Sequence, residues 1–229
     1  LVDLIQGRGI RRLAVLFVND DYGRALHAAV VDRLPAWITV VYDAPFLERS
    51  EPGQLEGAAR TAAEQDPEAV LWLGRAPELA VFLPVLRRLK PEIQVIGGDG
   101  LSGRPVMENE GGVYTGVRFV RFVDPDGGGE RLRRFAERYR ERTGAQPTDQ
   151  AVLSYDAVML VGEMISQGVR TRSQSEAYLR SVGTTRPAYE GIAGPIAFDA
   201  DGDAARPYVQ VEVTAKGPRR VGPMTGAEP

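Results

Sequence analysis

Four short apolar runs, each followed by a segment of helical periodicity, begin roughly every 25 to 31 residues over the first hundred positions, which is the length of a strand plus a crossover helix. Leu13-Ala-Val-Leu-Phe-Val18 and Ala69-Val-Leu-Trp-Leu73 show no polar alternation, as strands covered on both faces require. The other two runs lie near Ile38 to Tyr42 and at Ile93-Gln-Val-Ile96. Between them, Leu26, Ala29, Val30 and Leu34 recur at helical spacing after Asn19, Asp20 and Asp21, which supply N-cap chemistry. A second helix is expected over Gln54 to Glu64. A third is expected from Pro77 to about Leu89 and is stopped by Pro91. The pattern predicts an α/β fold: a doubly wound parallel sheet with right-handed crossovers.

After a further strand expected at Val113 to Phe119, the pattern changes. Asp124-Pro-Asp-Gly-Gly-Gly129 reads as a loop, followed by a charged amphipathic helix with Leu132, Phe135 and Tyr139 inward. From Pro147-Thr-Asp149 a second helix runs to about Ser166. Its apolar residues wrap most of its circumference, so burial on several sides is expected. A short helix near Ser175 to Val182 follows. The tail reads as an antiparallel hairpin, Gly194 to Phe198 against Tyr208 to Val213 across the turn Asp199-Ala-Asp-Gly-Asp203, with the last dozen residues frayed.

Composition narrows the function classes. The chain has 229 residues, with 28 basic and 31 acidic side chains and a net charge of −3, so it has no global field for nucleic acid or an anionic membrane. The skew of 26 arginines to two lysines, Lys90 and Lys216, reads as genomic base composition. No cysteine is present, which excludes disulfides, thiolate metal sites and cysteine nucleophiles. No segment reaches the roughly 18 apolar residues of a membrane span. Asp3, Arg8, Arg11 and Arg12 keep the first dozen residues from reading as a secretion signal, so the chain is either cytoplasmic or has lost a leader.

Most motifs dissolve on inspection. The Asp199, Asp201, Asp203 spacing places Ala204 and Gln210 where a calcium loop needs glycine and glutamate, so a turn explains it. Neither lysine follows a glycine-rich loop, no Gly-x-Ser-x-Gly elbow occurs, and the single histidine, His27, reads as a surface or boundary residue. The arginines from Arg131 to Arg142 are interleaved with Glu130, Glu137 and Glu141, which reads as a solvated helix face. No catalytic residue, metal ligand or cofactor is assigned. What remains is Asp99, flanked by glycines at one strand's carboxyl end, and Tyr22 at another's; ligands of doubly wound sheets bind beyond those ends.

The stretches Arg12 to Gly23, Gly97-Gly-Asp-Gly100, Tyr155-Asp-Ala-Val-Met-Leu160 and Gly191 to Gly202, in that order and spacing, resemble the type I periplasmic binding proteins, specifically the leucine/isoleucine/valine-binding branch. The resemblance covers nearly the whole chain. It implies two α/β lobes that clamp a small ligand, with residues 1–120 as the second lobe, 121–187 as helices returning to the first lobe, and 188–229 as the C-terminal hairpin of the second lobe and tail. The sheet of the first lobe is expected to be missing. By motif, Tyr22 and Asp99 would contact ligand, the acid receiving an α-ammonium, and Tyr155 would border the cleft from the first lobe. Arg75 departs from the usual aromatic or small group after the third strand. It either faces the cleft, favouring a carboxylate, or points to solvent.

The function implied is capture of an amino acid or similar small carboxylate for an ABC-type importer, with a membrane permease as partner and a periplasmic or extracellular location. The alternatives are the extracellular ligand-sensing domain of a signalling receptor and, less favoured, a doubly wound enzyme with its catalytic residues elsewhere. A fragment of this kind is also expected to self-associate through the helix Thr148 to Ser166.

Overall fold

The computed structural model describes residues 1–124, 129–204 and 206–225, which divide into two compact units. Most of the Gly-rich loop expected at 124–129 therefore lies outside the described residues.

The first unit comprises Leu1–Val120 and Gln210–Val221. It opens with α1 (Val2–Gln6) and then alternates strand and helix: β1 (Arg12–Val18), α2 (Asp21–Val31), β2 (Thr39–Phe46), α3 (Pro52–Glu64), β3 (Ala69–Leu73), α4 (Ala76–Leu89), β4 (Gln94–Gly97), α5 (Arg104–Glu108) and β5 (Arg118–Arg121). The pairings of β1 with β2 and β3, of β3 with β4 and of β4 with β5 are all parallel. Every residue of β3 is buried, which is why its sequence does not alternate. The edge strand β2 is mostly half-buried or exposed and tolerates Pro45. Trp72 packs between Phe46 and Phe82, with ring centroids 4.5 and 5.1 Å away. Leu13, Val15, Leu71, Leu73 and Ile96 fill one core cluster.

The C-terminal segment differs from the sequence expectation. Strand β8 (Tyr208–Thr214) does not pair with the segment Gly194 to Phe198. It joins the large sheet, whose order is β2-β1-β3-β4-β5-β8-β9, and turns at Ala215-Lys216 into β9 (Gly217–Thr225), a segment expected to be frayed. Alternating burial along β8 was legible. Its partner was not, because β9 carries Gly217, Pro218, Gly222 and Pro223 and has no strand signature. The separate antiparallel hairpin does exist, but its strands are β6 (Tyr189–Gly191) and β7 (Gly194–Ile196). The expected strand at Val113 to Phe119 starts later, because 3-10 and turn structure occupies residues 110–116.

The second unit comprises Arg121–Val209 and Gly222–Pro229 and contains α6 (Glu130–Thr143), α7 (Asp149–Ser166), α8 (Arg172–Ser181) and the β6–β7 hairpin. Thr148 caps α7, and a reciprocal Thr171–Gln174 capping box starts α8. Leu160 and Met164 of α7 pack with Tyr178 and Val182. Within the Tyr155-Asp-Ala motif, Asp156 is 1% exposed and accepts the backbone N–H groups of Ile192 at 2.7 Å and Ala193 at 3.4 Å, fixing the hairpin turn. A Cβ on Gly191 would lie 2.5 Å from that carboxylate, so only glycine fits.

The burial expected around α7 is not observed. Only the side carrying Val152, Asp156, Leu160 and Met164 is covered. Tyr155, Val158, Met159, Val161 and Ile165 are exposed, Val158 at 69%. A long apolar helix with one covered face presents surface of the kind that elsewhere is an interface. Among the described residues, no helix is long and apolar enough to cross a membrane, and no group of three acidic, histidine or cysteine side chains is placed to hold a metal ion.

Candidate functional site

Three of the four sequence candidates converge on the first unit, at the carboxyl ends of β1, β3 and β4. Tyr22 stands in the first turn of α2, whose N-cap is Asp20; the Asp20 carboxylate accepts the Gly23 N–H at 2.8 Å. Asp99 opens the 3-10 turn Asp99–Leu101 that follows β4. The Tyr22 hydroxyl donates to Asp99 Oδ1 at 3.0 Å and accepts the Gly100 N–H at 3.0 Å. Burial, and then the neighbouring Asp99 charge, push the Tyr22 hydroxyl well above the ordinary tyrosine range, so it remains a proton donor. Gly100 is tightly specified, since a Cβ there would lie 2.7 Å from the Gly74 carbonyl oxygen and 2.9 Å from the Tyr22 hydroxyl.

Arg75 is the N-cap residue of α4, and its carbonyl accepts the Trp72 Nε1–H at 3.1 Å. The guanidinium neither reaches freely into open space nor turns away: Nη1 lies 2.9 Å from Asp20 Oδ2, and Cζ stands 5.7 Å from the centre of the Tyr22 ring. The pair leaves its mark on both groups. The Gly23 N–H, and secondarily Arg75, lower the Asp20 pKa, while Asp20 raises that of Arg75. Asp20 read from sequence chiefly as a helix cap. Its second role as the counter-ion of Arg75 is the site feature that sequence reasoning missed, because the two residues are 55 positions apart.

The charge balance follows. Asp20 and Arg75 neutralise each other, while among the described residues the Asp99 carboxylate has no ion-pair partner and accepts one hydrogen bond, from the phenol. The strand-end surface therefore presents one uncompensated carboxylate beside a buried hydroxyl, suited to a cationic or hydrogen-bond-donating ligand group. A cavity of about 300 Å³ opens at the neighbouring ends of β1 and β2, lined by Asn19, Phe46, Leu47, Ser50 and Gln54 among others. His27, without an evident partner in the sequence, contacts Asp43 of β2 at 2.9 Å and packs against the Phe17 ring of β1, with centroids 4.3 Å apart.

Tyr155 belongs to the second unit. Its ring packs against Phe135 with centroids 4.8 Å apart, and it lines a groove there.

With this architecture the chain belongs to the periplasmic binding protein family, whose profile matches residues 1–218. Solved structures share the fold. A leucine-binding protein of Thermotoga maritima is 22% identical with a TM-score of 0.83, the match covering 96% of this chain and 62% of that one. A solute-binding protein of an ABC transporter from R. palustris, in complex with benzoate, is 16% identical with a TM-score of 0.84, covering 99% and 63%. The branched-chain amino acid transporter substrate-binding protein of Streptococcus pneumoniae, with isoleucine, is 18% identical with a TM-score of 0.80, covering 96% and 63%. The chain thus spans less than two thirds of the length of these structures. No curated protein sequence matches it.

Proposed function

We propose that the chain is a non-enzymatic solute-binding component of an ABC-type importer, working outside the cytoplasmic membrane and handing its ligand to a membrane permease. The ligand is an amino acid or similar small carboxylate bearing an ammonium group. The observation that carries this reading is the Tyr22–Asp99 pair: a protonated phenol orients a carboxylate that has no ion-pair partner among the described residues. Asp99 accepts the ammonium, and Tyr22 holds Asp99 in place while its ring offers an apolar wall. Arg75 stays with Asp20 and sets the local charge; the ligand's own carboxylate is then held by groups other than Arg75.

A charge-assisted contact of this kind contributes roughly 1.5–3 kcal/mol when water is excluded. Asp99→Asn should therefore weaken an amino-acid ligand by about ten- to a hundredfold. Isothermal titration against panels of amino acids and of small carboxylates, benzoate included, tests the reading. Binding of amino acids that Asp99→Asn impairs supports it. Binding of carboxylates lacking an amine, undiminished in Asp99→Asn, refutes the assignment of Asp99, and silence across both panels refutes the proposal.

A further inference from the structure

The second unit holds a groove of about 470 Å³ that the strand-end site does not involve. Along α6, Arg131, Arg134, Arg138 and Arg142 follow one another at helical spacing and all line it. Its aromatic lining is Phe135, Tyr139 and Tyr155, packed ring to ring at 5.8 and 4.8 Å. The sequence interleaves these arginines with glutamates, but the helix sorts them. At 100° per residue Glu130, Glu137 and Glu141 fall to one side of the stripe, and Arg133 and Arg140 fall on the far side. Among the described residues, Arg134, Arg138 and Arg142 have no ion-pair partner, and the only hydrogen bond made by the Arg131 side chain goes to the Glu190 carbonyl, at 2.8 Å. The groove lining holds four cations and no carboxylate; Glu130, Glu137 and Glu141 stand within a turn of Arg134 and Arg138 and offset their mutual repulsion only in part, and an anionic partner lowers what remains.

The geometry points to a docking groove for an acidic, extended peptide segment of a partner protein. Length decides between this and a small anion. From Arg131 to Arg142 the stripe runs about 16 Å, with a guanidinium near every helical turn of about 5.4 Å. A single small carboxylate meets one or two of them. An extended chain repeats its side chains on one face about every 6.6 Å, so three acidic residues at alternate positions over five or six residues follow the whole stripe. The planar guanidinium fork binds carboxylates two hydrogen bonds at a time, and the intervening apolar side chains lie over the aromatic floor. A nucleic acid strand is disfavoured by the net charge of −3, which gives no long-range attraction for a polyanion.

The test is fluorescence anisotropy of the full chain with a labelled peptide of alternating glutamate and serine, compared with a lysine–serine peptide and with oligothymidylate. The double variant Arg134→Glu/Arg138→Glu should lose affinity for the acidic peptide by about tenfold or more, and about 0.5 M salt should weaken binding in the parent chain. The matched variant Arg133→Glu/Arg140→Glu carries the same charge change on the far side of α6 and should bind within about twofold of the parent. Circular dichroism melts of both variants verify that each is folded. Absence of binding to the acidic peptide, equal loss in the two double variants, or tighter binding of oligothymidylate would each overturn the proposal.

Discussion

Asp149→Ala should be among the most damaging single substitutions in the second unit, and the reason can be worked through from its contacts. The Arg121 and Asp149 side chains are 5% and 2% exposed. Asp149 Oδ1 accepts Arg121 Nε–H at 3.0 Å and also Nη2–H, while Oδ2 accepts the backbone N–H groups of Phe122 at 3.0 Å and Val123 at 3.3 Å. Truncation removes the carboxylate that Arg121 Nε and Nη2 both reach in a buried site, and breaking such a pair costs about 3–5 kcal/mol. It also strands two amides, each worth about 1–3 kcal/mol if water cannot reach it. A loss of at least about 4 kcal/mol is expected. Hydrogen exchange of the α7 amides reads it locally, which matters because both tryptophans, Trp37 and Trp72, belong to the first unit. The double variant Arg121→Met/Asp149→Leu removes both charges. It should recover about 3 kcal/mol of that loss and retain only the cost of the stranded amides. An α7 exchange free energy in Asp149→Ala within about 1 kcal/mol of the parent, or a double variant no more protected than the single, would refute the argument from the broken ion pair.

Tyr22 should be among the last tyrosines to ionise in an alkaline titration followed by tyrosinate absorbance, and Tyr22→Phe should abolish that late fraction. Because its folded pKa lies above the ordinary value of 10.0, its contribution to stability is present in full below pH 10 and is lost as pH rises through the folded value. Gly100→Ala should cost about 1–3 kcal/mol in urea unfolding read by tryptophan fluorescence, since the new methyl group meets the Gly74 carbonyl and the Tyr22 hydroxyl together. The exposed α7 face should drive concentration-dependent association in sedimentation velocity, and Val158→Glu/Ile165→Glu should reduce it; sedimentation independent of concentration in the parent chain would count against this.

How much of this was legible beforehand follows from how local each signal is. The parallel sheet declares itself in β1 and β3, because burial on both faces leaves a run such as Ala69 to Leu73 no room for a polar residue. Asp20 as a cap and Thr148 as the start of α7 are read within four residues. The meeting of Tyr22 with Asp99 was anticipated from motif order and from the rule that parallel strands aim their carboxyl ends one way. The partner of β8 could not be read, since pairing is a choice among edges that no single strand encodes, and β9 hides behind two prolines and two glycines. Arg75 remained an open question for a similar reason: a guanidinium on a flexible stem takes whichever counter-charge the fold brings within reach.

From its residues alone, then, the chain was committed to a crossover α/β sheet and to polar groups at the ends of its strands, because burial and chain direction act over a few neighbouring positions. Only the folded backbone decided that Arg75 pairs with Asp20, that Asp156 pins a hairpin turn, and that one side of α7 stays open to solvent. Those outcomes depend on distances of a few ångströms between residues tens of positions apart, and electrostatic and packing energies are settled at that range.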